Sequence, residues 1–99
     1  MSKPFNEKFR EQRRLFLLKL LSEQGGYRAN SAVLYMSLYH LGIQASQDDV
    51  RTDLHWLRDQ SLITLDEVGE SVEIATLTKR GIDVVHGLAE VPGVSRGVW

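Results

Sequence analysis

The sequence predicts a small α+β domain, mainly helical with one β-hairpin, and three observations carry that assignment. The chain has 99 residues, enough for one hydrophobic core and too few for two. Apolar residues recur at helical spacing in four stretches bounded by capping residues and glycines. Between the third and fourth stretch stand Leu62-Ile-Thr-Leu65 and Ser71-Val-Glu-Ile-Ala-Thr-Leu77, β-branched runs parted by Asp66-Glu-Val-Gly-Glu70, which reads as a hairpin with Gly69 at its tip. Hydrophobic residues at 42% and charged residues at 25% are ordinary for a globular chain, which excludes wholesale disorder and collagen-like structure.

The first helix is expected to open near Asn6, with Glu7 in the first turn where the macrodipole favours an anion, and to run to the Gln24-Gly25-Gly26 stop. Phe9, Phe16 and Leu20 share one stripe, but Leu15-Phe-Leu-Leu-Lys-Leu-Leu21 is apolar almost all the way round. A helix of that kind needs burial on more than one side, supplied either by the rest of the fold or by a homodimer interface. Asn30 or Ser31 can cap a second helix, in which Leu34, Leu38 and Leu41 recur beside Tyr35 and Tyr39 until Gly42 ends it. Ile43 follows as the apolar partner of a C-terminal motif, and Gln44-Ala45 makes a short link.

Ser46-Gln-Asp-Asp49 is a capping box with a shorter acid at its fourth position, and it opens a third helix with Val50, Leu54 and Leu57 as the core stripe. At about 100° per residue that stripe leaves Asp48, Arg51, Thr52, His55 and Asp59 facing outward, with Trp56 at the edge of the core. Thr78 can cap a last helix over residues 79–89, and Pro92-Gly93 suits a turn. The expected layout is therefore one domain over residues 1–90 and a tail over 91–99, in which Trp99 carries no reading.

Two segments now carry a resemblance. Asp53-Leu-His-Trp-Leu-Arg-Asp-Gln-Ser-Leu-Ile63 resembles the recognition-helix end and first wing strand of ArsR- and MarR-like winged helix-turn-helix proteins. Leu77-Thr-Lys-Arg-Gly81 is similar to their step from the second wing strand into the next helix. Together they cover about residues 9–87 and imply the order helix, helix, helix, hairpin, helix. Val91-Pro-Gly-Val94, with the small size, further resembles the short winged helix proteins of Mu-like prophages. The chain departs from the pattern at Ser61, where glycine is usual and a left-handed turn costs an L residue more.

The resemblance implies double-stranded DNA as a partner, with the third helix in the major groove and Gln47, Arg51, Thr52 and His55 presented to it. Lys79 and Arg80, along with Lys8, Arg10, Arg13, Arg14 and Arg28, are candidate phosphate contacts. The charge distribution pulls the other way. Twelve Lys and Arg oppose 13 Asp and Glu, and residues 46–74 hold eight acids against two bases, including Asp66, Glu67, Glu70 and Glu73 on the hairpin. An acidic wing suits a basic protein partner as well as it disfavours phosphate, so both readings stand, and under either a homodimer is expected from the apolar Leu15–Leu21 segment, paired through the first and last helices as the resemblance implies.

Other chemistry is poorly supported. The absence of cysteine removes disulfides, Cys-ligated zinc, iron–sulfur clusters and thiol nucleophiles. His40, His55 and His86 do not form the spaced pair of a zinc-binding helix, and no Gly-rich phosphate loop or bracketed nucleophile occurs, so no metal, no cofactor and no enzymatic activity are expected. Without an apolar run fit to span or be exported across a membrane, a soluble cytoplasmic protein is expected.

Overall fold

The computed structural model describes residues 5–96; Trp99 and the first four residues lie outside them. Four helices and three strands follow one another as α1 (Phe5–Ser22), a 3-10 turn (Gly25–Tyr27), β1 (Arg28–Asn30), α2 (Ser31–His40), α3 (Gln47–Asp59), β2 (Ile63–Val68), β3 (Val72–Leu77) and α4 (Lys79–Val85). The strands form one antiparallel sheet in the order β1-β3-β2, with Ala75 of β3 opposite Ala29 on one side and Leu65 on the other. Along β3 the burial alternates, so Glu73, Ala75 and Leu77 face inward.

The core explains the apolar first helix. Leu15, Leu17, Leu18 and Leu21 are all buried, and Phe16 and Leu20 pack partly against the same cluster. α1 packs on α2, α3, α4 and β3, so its apolar circumference is covered within a single chain and calls for no partner. From the end of α1 the chain reverses through Gly26 and Tyr27, both with positive φ, and enters β1. Asn30 then caps α2, its side chain accepting the Val33 N–H at 2.8 Å.

Two expected boundaries move. α1 ends at Ser22, ahead of the glycines. α4 ends at Val85 instead of residue 89, because Gly87 takes a φ of 77° and the Leu88 N–H bonds the Asp83 carbonyl at 2.8 Å. That 6→1 bond defines a Schellman stop. The same device ends α2 at Gly42, with Ile43 N–H to Leu38 O at 2.9 Å, and ends α3 at Ser61, with Leu62 N–H to Leu57 O at 3.0 Å. Ser61 does adopt the left-handed conformation, with φ of 62°.

Gly81 sits where no larger residue fits. A Cβ there would lie 2.3 Å from the Leu62 carbonyl oxygen, so α4 can approach the start of β2 only through glycine. The segment read as a tail joins the core, with Val91 and Val94 both buried and the Ser95 N–H donating to the Glu11 carbonyl at 3.2 Å.

Candidate nucleic-acid interface

α3 is placed by its cap and by its inner face. The Asp49 N–H donates to Ser46 Oγ at 2.9 Å, and the Ser46 N–H donates to the Asp49 carboxylate at 3.0 Å, closing the capping box. That backbone donation holds the Asp49 carboxyl below its usual range; burial opposes it, and the Ser46 hydroxyl and the charges of Arg13 and Arg10 add to the lowering. On the inner side Val50, Leu54 and Leu57 are buried as the stripe predicts.

Asp53 is buried on that same side at 0% exposure, and its partners change the account of the basic residues. Arg13 Nε donates to Asp53 Oδ2, and Arg14 Nε donates to Oδ1 at 3.3 Å. Arg14 also donates from Nη1 to the Gly93 carbonyl at 3.0 Å and lies 4.1 Å above the Trp56 ring. Arg13 and Arg14 are therefore interior fasteners between α1, α3 and the C-terminal segment, and the reading of them as phosphate contacts is corrected. The missed signal was an acid at the second position of the stripe Val50, Asp53, Leu54, Leu57, where burial demands a cation.

On the outer side Gln47, Arg51 and Thr52 are exposed, and their side chains make no hydrogen bond or ion pair among the described residues. Gln47 and Arg51 line a groove between α3, the start of α2 and the start of β3. Arg51, Thr52 and His55 share a shallow cleft with Asp48, Trp56 and Asp59. Lys79 and Arg80 open α4, are exposed, and line neither of these depressions; Lys79 lies 3.5 Å from Asp83. Arg10 stands nearer the site, in a hollow with Ser46 and Asp49 at the start of α3.

From its place on α3, His55 also reaches the hairpin. Its Nε2 lies 3.0 and 2.9 Å from the two Glu73 carboxylate oxygens, and the Glu73 N–H donates to Ser31 Oγ at 3.2 Å. His55 thus braces the hairpin against α3, and Glu73, 4% exposed, is withdrawn from the acids the hairpin presents. Asp66, Glu67 and Glu70 remain exposed there with no Lys or Arg between Ile63 and Leu77. Among the described residues no three metal-ligating side chains come together, and no helix is long and apolar enough to cross a membrane.

The chain is 37% identical over 91 residues to gp26, an uncharacterized protein of Escherichia phage Mu, which covers 92% of this chain and 93% of that one. An uncharacterized protein of Haemophilus influenzae is 37% identical over 76 residues, covering 77% of this chain and 74% of its own. Among solved structures, the chain of hsRosR-S1, determined as a complex, superposes with a TM-score of 0.62 at 18% identity over 74% of this chain. That neighbour is a winged-helix protein, this chain spans 63% of its length, and at such identity the likeness speaks for the fold alone. No family model matches the chain.

Proposed function

The chain belongs to the family of gp26 of Escherichia phage Mu, and from the geometry of α3 we propose that it is a winged-helix protein that binds duplex DNA, in transcription control or in a phage DNA transaction. The single observation that carries this reading is the set Gln47, Arg51 and Thr52, three hydrogen-bonding side chains exposed on the outer face of a firmly capped helix and free of protein partners. An arginine can bond both acceptors of guanine, a glutamine both polar groups of the adenine edge, and a threonine either a base or a thymine methyl. Arg10, beside the start of α3, is the nearest further cation for a flanking phosphate. The ArsR- and MarR-like segments Asp53–Ile63 and Leu77–Gly81 support the same placement of helix and wing. The protein acts here by binding in the cytoplasm, with no catalytic step and no cofactor.

Titration of a labelled duplex followed by anisotropy at two salt concentrations tests it. Each phosphate contact contributes about 0.9 to the slope of log affinity on log salt. Replacing Arg51 and Thr52 together by alanine is expected to cost on the order of 10-fold or more in affinity, since one good base contact is worth about 1–3 kcal/mol of discrimination. Unchanged affinity in the double variant would defeat the reading.

The exposed acids Asp66, Glu67 and Glu70, with no base on the hairpin, favour a second reading in which the hairpin docks a basic protein partner. Glu67→Lys with Glu70→Lys separates the two. Under the first reading the change tightens duplex binding, whereas under the second it abolishes capture of the basic partner.

A further inference from the structure

We infer that the outer face of α2 is a self-association surface and that its occupant is a second copy of this chain. The inference is independent of DNA binding. Val33, Met36 and Tyr39 stand 43, 56 and 73% exposed on one side of α2, and Leu41 follows at 55%. Ala32 and His40 border the same side and are also exposed, and the His40 ring stands edge-on to Tyr39 at 6.0 Å between centroids. Among the described residues no other helix exposes so many large apolar side chains; Phe5, Tyr27, Val68 and Leu88 are the exposed ones outside this stretch.

The charge pattern selects the occupant. A quarter of the chain is charged, yet no Asp, Glu, Lys or Arg occurs between Arg28 and Asp48. Such a face offers no cation to a phosphate and no ion to a charged protein surface, so nucleic acid and a strongly charged partner gain nothing there. It is suited to its own copy. In a two-fold contact each residue near the axis meets its like, and any formal charge would face itself; here Met36 and Tyr39 meet Met36 and Tyr39 instead.

The area sets the strength. The exposed parts of these side chains and their rim amount to on the order of 500 Å² per copy, so the pair buries about 1,000 Å², at the lower limit for a specific contact.

Light scattering with concentration series tests this. The mass of the wild type is expected to climb from one chain towards two across roughly 1 μM to 1 mM. Met36→Lys, a change at an exposed position that leaves the helical circular dichroism intact, is expected to raise the dissociation constant at least 10-fold. Leu88→Lys, 77% exposed outside α2, is expected to dimerise like the wild type. A one-chain mass for the wild type throughout overturns the proposal, as does a Met36→Lys variant that dimerises normally, or loss of the dimer in Leu88→Lys.

Discussion

Asp53 has no access to solvent and is held from two sides by Arg13 and Arg14, so its worth is best judged by what its removal leaves behind. Arg13 is itself 6% exposed and would stay buried as a lone cation. Breaking a buried pair from one side costs about 3–5 kcal/mol, whereas exchanging both partners for apolar residues of similar volume is often neutral. Asp53→Ala is therefore expected to lower the unfolding free energy in urea by about that amount, and Asp53→Leu with Arg13→Met to recover most of it. Equal losses in the single and double variants would mean that packing, not the stranded charge, decides. The sequence announces this pair through an acid inside an apolar stripe, but not which arginines reach it, because the partners lie 39 and 40 positions away. His55 hides a contact in the same way. Its place on the outer face is legible, and its bond to Glu73 depends on where the hairpin lands.

Elements are legible here chiefly through their ends. Asn30, Ser46 and Thr78 each cap a helix by accepting an N–H three residues on, and all three sit where turn-forming chemistry precedes an apolar stripe. β1 escapes sequence reading because three residues are too few for an alternating pattern and its pairing with β3 is long-range. The capping box on α3 also gives a pH dependence. Asp49 has a lowered carboxyl value in the fold, chiefly through the Ser46 N–H, so its contribution is fully present above the ordinary carboxyl value and fades as pH falls through the folded one. Asp49→Ala is expected to cost about 0.5–1 kcal/mol at pH 7, a small loss because the carboxylate is exposed to water. The gap between variant and wild type in thermal melts should then narrow as the pH drops below about 4. A gap that stays constant down to pH 2 would assign the loss to helix propensity alone.

At the scale of the whole molecule the C-terminal segment decides how far the domain extends. Its composition shows a Pro-Gly turn between valines and gives no periodicity, so the sequence alone marks it as a tail. In the fold, Val91 and Val94 complete the core, and Gly93 both receives Arg14 on its carbonyl and stands close to the Trp56 ring. The segment thus fastens α1 to the edge of α3, the helix whose opposite face carries Gln47, Arg51 and Thr52. Ending the chain after Glu90 removes two buried valines, worth about 1.5–3 kcal/mol each as an upper bound, and with them the Arg14 bond to the Gly93 carbonyl. The change is expected to be read as a lower midpoint of unfolding in urea. Gly93→Ala examines the same fastening without shortening the chain. Its Cβ would stand 2.5 Å from the Trp56 ring at a φ of +99°, so glycine is required there both for space and for conformation. Both variants are expected to shift the Trp56 fluorescence and to lower stability together. If the shortened chain melts like the intact one, the segment rests on the domain without holding it, and the domain ends where its sequence pattern does.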